Sequence, residues 1–431
     1  MKVRSILSLL AAVLVAACGS SSSNAPPQLG ALKASVQVNF WHALSGNLQK
    51  ELNTLTDQFN STQTTVHINL TAKGAYTDLN KAVLTGLAAN QAPDVAQCIE
   101  TDAAKYNSSK ALADLTPYIN AADGLSSADL KDIFPVMLGA AKINGTYYQF
   151  PFNKSTTVLY YNQDMFAAKG ISGPPTTWTD FFSDAAKLAD PSKGVTGIEG
   201  PSLDTFLSML YEYGGQMYDK ASNPTKATVN SAAGVKAMTM WTDAIKAGAA
   251  KPIPAGNFAD QVDFQNQKTA MYMSTQVSYQ FIVKPIGSKF KFAEAPFPAG
   301  DKGVKDEMFG ANMCVFNKST KDVQHGAMLY IKYLTSQANT TEWAQKTSYM
   351  PVRQSAFTAL QSSFYSQNPS QGVGAGMLSA GDLIVLPSTP TSNEQRDALT
   401  TELNNIAAGR EDAKTGLDKA ASRMTDIMTT G

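Results

Sequence analysis

The sequence predicts an α/β protein with two lobes, each a mostly parallel sheet flanked by helices. Strand and helix patterns alternate over the first hundred residues and alternate again from about residue 156, which is typical of parallel sheets covered by helices. A chain of 431 residues is also too long for a single hydrophobic core. The apolar content of 43% is that of a soluble globular protein.

The N-terminus has the order of segments found in a secretory signal peptide. A short basic region precedes an apolar stretch at 6–17, which ends in small residues directly before Cys18. The stretch is shorter than the ~20 residues that span a bilayer. We expect a signal peptide at 1–17 and lipidation of Cys18; the alternative is an ordinary signal peptide. Residues 18–34 begin with a Ser- and Pro-rich run, which predicts a flexible tether.

The first lobe begins with a β-α-β-α-β series. Strand patterns occupy 36–40, 65–71 and 94–99, and helices with one apolar face occupy 45–59 and 78–89.

The second series runs from about residue 156 to 298, and a further strand and three helices follow it to the end of the chain. Strands are predicted at 157–161, 270–273, 289–293 and 308–316, and helices at 164–169, 178–188, 205–213, 232–247, 260–267, 322–335, 394–407 and 412–428.

Charge and cysteine content exclude some classes of protein. Lys+Arg and Asp+Glu both number 35, so no basic excess is available to neutralise a nucleic acid backbone, and we expect no nucleic acid partner. Cys98 and Cys314 both lie in apolar, strand-like contexts. They are compatible with two buried free thiols or with a disulfide in an oxidising compartment.

Signatures of catalysis and of cofactor binding are absent from the sequence. It has no nucleophile elbow, zinc-protease or P-loop motif, and its three histidines are far apart. The glycine-rich residues 372–376 follow no strand pattern and lack dinucleotide spacing, so we interpret them as a loop. We therefore expect a protein that is not an enzyme and needs no cofactor or metal.

Four segments of the chain form a recognisable set. They are Phe40-Trp41-His42, Lys73-Gly74-Ala75-Tyr76, Pro151-Phe152-Asn153-Lys154-Ser155-Thr156 with Val158-Leu159-Tyr160-Tyr161-Asn162, and Glu342-Trp343-Ala344-Gln345-Lys346-Thr347-Ser348-Tyr349-Met350-Pro351. In this order and spacing, they resemble extracellular solute-binding family 1 of ABC importers, in particular its glycerol-3-phosphate-binding branch. The resemblance covers nearly the whole chain after the tether.

The resemblance implies a type II periplasmic-binding-protein clamshell whose lobes close over ligand. It implies an exported monomer that acts with ABC permease subunits and a cytosolic ATPase, anchored through its lipid to the outer face of the cytoplasmic membrane or free in the periplasm. The expected boundaries are 35–151 and 306–352 for lobe 1, 156–300 and 357–431 for lobe 2, and hinges near 152–155, 301–305 and 353–356.

The resemblance also implies a set of ligand-binding residues. Glu100 lies where the family has a carboxylate that accepts hydrogen bonds from glycerol hydroxyls, and Tyr349 and Arg396 would meet the phosphate. A phosphate group prefers a guanidinium fork with several neutral donors. Arg396, Tyr349, the Ser155 hydroxyl and the backbone N–H of Gly310 would supply that mix. The resemblance also implies that Tyr76 faces the ligand and that Thr275, or the adjacent Ser274, supplies a hydroxyl.

Each of these residues also has a purely structural interpretation. Arg396 is compatible with the surface, Tyr76 and Tyr349 with packing, and Glu100 with capping a helix. Asp102 lies near Glu100, but nothing in the sequence places a nucleophile beside this pair, so an acid–base role is not favoured.

One segment departs from the family pattern. Residues 200–213 contain no tryptophan, whereas the family has one there that stacks over glycerol; Leu203, Phe206 or Tyr211 would take its place. A smaller wall leaves room past the glycerol end. We therefore expect glycerol-3-phosphate or a glycerophosphodiester such as glycerophosphocholine. Asn312 also replaces a small hydroxyl residue.

Two rival functions remain open. A sugar- or oligosaccharide-binding protein of the same fold would stack its ligand on aromatic rings and need no phosphate clamp. A secreted hydrolase or adhesin on this scaffold is the second rival, and nothing in the sequence favours it.

Overall fold

The computed structural model describes residues 28–256 and 258–430. The predicted signal peptide, Cys18 and most of the predicted tether lie outside the described residues. The end of that tether is described and contacts the folded body: the Leu32 N–H donates to Asp123, and the Ala122 N–H donates to the Leu29 carbonyl. The last residues of the predicted tether therefore bond to the folded body.

The strands are β1 (Val36–His42), β2 (Val66–Ala72), β3 (Val95–Cys98), β4 (Lys142–Ile143), β5 (Thr146–Tyr147), β6 (Gln149–Asn162), β7 (Ile198–Glu199), β8 (Ala250–Lys251), β9 (Met271–Thr275), β10 (Phe292–Ala295), β11 (Asp306–Val315) and β12 (Leu383–Ile384).

The helices are α1 (Gly46–Thr62), α2 (Tyr76–Ala88), α3 (Glu100–Ser108), α4 (Thr116–Ile119), α5 (Ser127–Asp132), α6 (Pro135–Ala140), α7 (Gln163–Ala168), α8 (Trp178–Leu188), α9 (Leu203–Glu212), α10 (Ala232–Lys246), α11 (Ala259–Gln265), α12 (Tyr279–Ile286), α13 (Lys321–Leu334), α14 (Gln337–Thr347), α15 (Gln354–Ser362), α16 (Phe364–Gln367), α17 (Val373–Ala380), α18 (Ser392–Ala407) and α19 (Ala413–Thr430). None of these helices combines the length and apolar composition needed to cross a bilayer.

Each lobe contains parallel strand pairs, as the sequence predicts, but the sheets as a whole are mixed. In the first lobe, β1 pairs in parallel with β2 and β3. In the second lobe, β7 pairs in parallel with β8, and backbone hydrogen bonds place β7 beside β9. Apart from the short hairpin of β4 and β5, the antiparallel pairs involve β6 and β11, which run between the lobes and bond to each other and to β3, β9 and β10.

Strand β6 is one continuous strand of 14 residues, longer than the predicted strand at 157–161. Its first half, to Thr156, pairs with β11, and its second half, from Thr157, pairs with β9 and β10. The crossing proposed near 152–155 thus falls inside this strand. The third crossing, proposed near 353–356, falls at the start of α15, which packs against the first lobe through Phe357 and Phe134.

Buried apolar side chains explain why these elements form. Along α1, Leu48, Leu52, Leu55 and Phe59 recur at helical spacing and are buried in the core of the first lobe. The second lobe has its own core, in which Trp241 of α10 packs among residues of α8, α9 and α18. Separate clusters of buried apolar residues are expected for a chain of this length.

The glycine-rich segment at 372–376 is not the loop that the sequence predicts. It contains the start of helix α17. Ala375, Met377 and Leu378 are buried in the core, and this packing outweighs the low helix propensity of glycine. A Cβ on Gly374 would collide with the side chain of Gln276, so the close approach of α17 to that residue requires glycine.

Cys98 of β3 and Cys314 of β11 form a disulfide between neighbouring strands, with Cα atoms 5.9 Å apart. Both residues are fully buried. Of the two states compatible with the sequence, the bonded one is therefore present.

Candidate ligand-binding cleft

A small cavity of about 80 Å³ lies where β11 passes between the lobes. Residues 99–101 at the start of α3 line one side, and residues 307–310 of β11 line the floor. The other side consists of residues of the second lobe, including 385–388 and the first turns of α18. Both lobes therefore contact whatever occupies this cavity.

Three of the predicted ligand-binding residues line this cavity. They are Glu100 at the start of α3, Gly310 on β11 and Arg396 on α18. Gly310 has a positive φ of 84°, and a Cβ there would lie 2.0 Å from the carbonyl oxygen of Asn153. Only glycine allows β11 to lie so close to β6 at this point.

Arg396 is engaged by two carboxylates. Its guanidinium donates to both oxygens of Glu307, at 3.0 and 3.1 Å, and to Asp204 at 3.0 Å. The arginine side chain is only 18% exposed, so it is not the surface residue that was the alternative interpretation. Asp204 belongs to α9 and Glu307 to β11. Arg396 therefore joins α9 and α18 of the second lobe to the crossing strand β11 by hydrogen bonds.

Burial sets the ionisation of this cluster. Desolvation raises the pKa of the Glu307 carboxyl, while the charge of Arg396 opposes that rise. For Arg396, desolvation alone would lower the pKa, but Glu307 and Asp204 raise it above its usual value. The guanidinium thus stays charged, and a ligand anion must compete with Glu307 for its donors.

Glu100 is held by two neighbours from the crossing strands. Lys154 Nζ lies 2.7 Å from Glu100 Oε1, and Asn312 Nδ2 donates to the same oxygen at 3.0 Å. The side chain of Glu100 is 15% exposed and faces the cavity. Glu100 is itself the first residue of α3, and the N-cap position belongs to Ile99.

The two predicted tyrosines lie together, away from Arg396. Asn153 Nδ2 donates to the Tyr76 hydroxyl at 2.9 Å, and the Tyr349 hydroxyl lies beside both groups. Tyr349 stacks on the buried Trp343 with ring centroids 5.8 Å apart. Burial raises the pKa of both tyrosine hydroxyls, so they are neutral donors. In this conformation, however, no described contact joins Tyr349 to Arg396.

The remaining predicted residues do not line the small cavity. Ser155 is buried on β6, and Thr275 on β9 pairs with Thr157. The Ser274 and Ser278 hydroxyls bond to each other at 2.8 Å. Leu203 is half-buried at the start of α9, and Met217 contributes apolar surface to the cavity instead.

A wider, more open cavity of about 650 Å³ adjoins the small one. It shares Glu100 and residues 385–388 with the small cavity, and it extends past α3, α6 and the loop at 221–224. A ligand longer than the small cavity can therefore continue into this space.

One hydrogen bond closes the cleft directly. Asn393 of α18 donates to Asp102 of α3 at 2.9 Å. Beside it, Lys105 and Glu394 lie 3.6 Å apart, which is a weaker, exposed pair. These contacts join the two lobes over the cavity.

The sequence did not single out Asp204, Glu307 and Lys154 as site residues. Asp204 and Glu307 lie 192 and 89 residues from Arg396 in the chain, so spacing gives no signal. Lys154 stands inside a quoted family segment, where a charged residue in an otherwise uncharged strand was the available signal. Among the described residues, no group of three His, Cys, Asp or Glu side chains is placed to hold a metal ion.

Known proteins resemble this chain over most of its length. The family model described as "Bacterial extracellular solute-binding protein" matches residues 54–370. The sn-glycerol-3-phosphate-binding periplasmic protein UgpB of Pectobacterium atrosepticum is 28% identical over 416 residues, which cover 91% of each chain.

Two solved structures show the same fold. UgpB from Mycobacterium tuberculosis in complex with glycerophosphocholine is similar with a TM-score of 0.80 and 21% identity, covering 92% of this chain and 99% of that one. The GacH receptor of Streptomyces glaucescens, solved unliganded and with acarbose, gives 0.79 and 20% identity over 92% and 100%. With both lobes around a cleft and a family match over most of its length, the chain belongs to the bacterial extracellular solute-binding proteins, and it is the substrate-binding protein of an ABC importer and not an enzyme.

Proposed function

We propose that this protein captures a glycerophosphodiester, of which glycerophosphocholine is one example, and also accepts glycerol-3-phosphate more weakly. The observation that carries the proposal is the pairing of a guanidinium and a carboxylate across one cavity: Arg396 on one wall and Glu100 on the other. Arg396 suits a phosphate oxygen, and Glu100 suits the hydroxyls of glycerol.

The charges around the cavity favour a diester over a monoester. Two cations, Arg396 and Lys154, lie among four carboxylates at or next to the cavity. A monoester carries nearly two negative charges at neutral pH, whereas a diester carries one. With no cation in excess, the second negative charge is repelled, so the diester is expected to bind more tightly.

The shape of the cleft supports the same choice. The small cavity of about 80 Å³ opens into the wider one of about 650 Å³ through Glu100 and residues 385–388. The second alcohol of a diester can extend into that wider space. The names of two relatives point to the same chemical class, since one binds glycerol-3-phosphate and the other was solved with glycerophosphocholine.

A sugar is the second candidate, and one observation favours it. The guanidinium N–H groups of Arg396 already donate to the carboxylates of Glu307 and Asp204. The cleft can therefore bind a ligand through its carboxylate oxygens alone, which accept hydrogen bonds. Carboxylates that accept hydrogen bonds from hydroxyls suit a neutral sugar, and the GacH receptor was solved with acarbose.

Isothermal titration calorimetry with glycerophosphocholine, glycerol-3-phosphate and maltose tests both candidates. We expect glycerophosphocholine to bind most tightly. Arg396→Ala should weaken its binding about tenfold to a hundredfold, which corresponds to one or two charge-assisted hydrogen bonds. Arg423→Ala, on the exposed side of α19, is the matched control. Maltose binding that Arg396→Ala leaves unchanged would favour the sugar.

Delivery and anchoring complete the proposal. The protein would work as a monomer, tethered to the outer face of the cytoplasmic membrane through lipidated Cys18, and ligand would drive closure of the lobes. Small-angle scattering should show a smaller radius of gyration with ligand. Cys18→Ser should release the protein from the membrane fraction, and an unchanged distribution would contradict lipid anchoring.

A further inference from the structure

Lys154 is a fully buried lysine on β6, where it pairs in the sheet with Gly310, a residue that lines the small cavity. Its ammonium donates to Glu100 Oε1 at 2.7 Å and to the Gly310 carbonyl at 3.3 Å. A lysine is seldom buried without a charged partner, and here that partner is the carboxylate expected to meet the ligand.

The two carboxylate oxygens of Glu100 have different hydrogen-bond partners. Oε1 accepts from both Lys154 and Asn312. Asn312 is itself fixed, because its Nδ2 also donates to Gln149 Oε1 at 3.0 Å. Within the described residues, Oε2 has no hydrogen-bond donor, and the carboxylate lines the cavity. Oε2 is thus the oxygen available to a ligand hydroxyl.

The backbone explains how Lys154 reaches Glu100. The ladder between β6 and β11 shifts its register between Ala311 and Asn312, which is a local bulge that redirects side chains. Gly310, with no Cβ, lets the two strands lie close beside it. Sequence features on both strands therefore support this placement.

We propose that Lys154 determines the charge of the ligands that the cleft accepts. By cancelling the charge of Glu100, it allows an anionic group to occupy the same small cavity while a ligand hydroxyl bonds to Oε2. This inference rests on the proposed function, since it concerns how a phosphate-bearing ligand is tolerated beside a carboxylate. Without Lys154, Glu100 would repel the phosphate across a cavity of about 80 Å³.

A purely structural lysine would behave differently. If Lys154 only stabilised the fold, its loss would lower the binding affinity for every ligand by the same factor. If it compensates charge, the loss must grow with the negative charge of the ligand, because repulsion scales with that charge. Removing the Glu100 charge as well must then restore binding.

The experiment compares Lys154→Met, Glu100→Gln and the double variant in the full chain by calorimetry, with Lys169→Met on the exposed end of α7 as the control. The probes are glycerophosphocholine, glycerophosphoglycerol and glycerol-3-phosphate, whose net negative charge increases in that order. Thermal unfolding followed by circular dichroism verifies that each variant is folded.

We expect Lys154→Met to weaken glycerol-3-phosphate on the order of tenfold more than glycerophosphocholine. In the double variant, the affinities should return to those of Glu100→Gln. Equal losses for all three probes, or a double variant as weak as Lys154→Met, would overturn this inference alone. If the unsubstituted protein binds none of the probes, the proposed function and this inference both fail.

Discussion

The Asp306 carboxylate accepts a hydrogen bond from the Ser208 hydroxyl at 2.5 Å, and this contact joins a crossing strand to helix α9 of the second lobe. Its other oxygen accepts from the Thr156 hydroxyl and the Thr157 N–H, at the point where β6 changes partners. The Glu307 N–H donates to the same oxygen as Ser208. Asp306 is fully buried, so this carboxylate fixes the geometry of the junction between the lobes.

Replacing Asp306 with Asn should destabilise the protein by about 1–3 kcal/mol. Each carboxylate oxygen accepts one hydroxyl and one backbone N–H, so the amide nitrogen of Asn would face an N–H in either orientation. Urea denaturation measures the free energy of unfolding. Asp301→Asn is the control, because Asp301 pairs with Lys236 on the exposed surface, where ion pairs contribute little. Equal effects of the two substitutions would contradict this role of Asp306.

The hydrogen bond from Asn393 to Asp102 should hold the cleft closed. Asn393→Ala removes the donor of this hydrogen bond, so the open form should become more populated. We expect a larger radius of gyration in small-angle scattering and ligand affinity about fivefold to tenfold weaker. Asn404→Ala, on the exposed face of the same helix, should change neither quantity. A compact Asn393→Ala variant with normal affinity would exclude this bond as a closing contact.

Closure should also depend on pH through Asp102. Burial raises the pKa of Asp102 to about 6, the hydrogen bond from Asn393 lowers it, and the charge of Glu100 raises it. When the cleft opens, the pKa should fall toward its ordinary value of about 3.9. Between these values the closed form keeps a proton that the open form has lost, so closure is favoured as the pH falls from about 6 to about 4.

Titration with glycerophosphocholine measures this dependence, because its phosphodiester does not titrate in that window. The affinity should rise as the pH falls through it, and Asp102→Asn should remove that part of the pH dependence. An identical pH profile in the Asn variant would show that another group is responsible.

The fold was predictable because it depends on periodicity. The predicted strands and helices are present within about three residues, apart from β6. In β6, residues 149–156 have no alternation of polar and apolar residues. Of the 14 positions of the whole strand, 13 are fully buried or nearly so. Burial on both faces gives no pattern of period two. For α17, glycine content indicated a loop, but tertiary packing decided the outcome.

The site was less predictable, because its chemistry depends on pairs far apart in the chain. Three of the residues that the resemblance implies, Glu100, Gly310 and Arg396, line one cavity. The resemblance did not anticipate that Arg396 bonds to Asp204 and Glu307, or that Glu100 bonds to Lys154. Such pairs are set by the three-dimensional register of β6, β11 and α18, which residue types alone do not specify.

The disulfide between Cys98 and Cys314 should stabilise the first lobe. It connects positions 216 residues apart, and closing so long a loop restricts the unfolded chain, typically by about 2–4 kcal/mol. Urea denaturation of Cys98→Ala, Cys314→Ala and the double variant measures the free energy of unfolding of each. These values distinguish a disulfide bond from two independent thiols. If the cysteines are bonded, the double variant loses about as much stability as the worse single variant, since either substitution already breaks the bond. Two free thiols would instead give losses that add. Additive losses of stability would therefore contradict the disulfide. Thermal unfolding with and without reductant should lead to the same conclusion as the urea experiment.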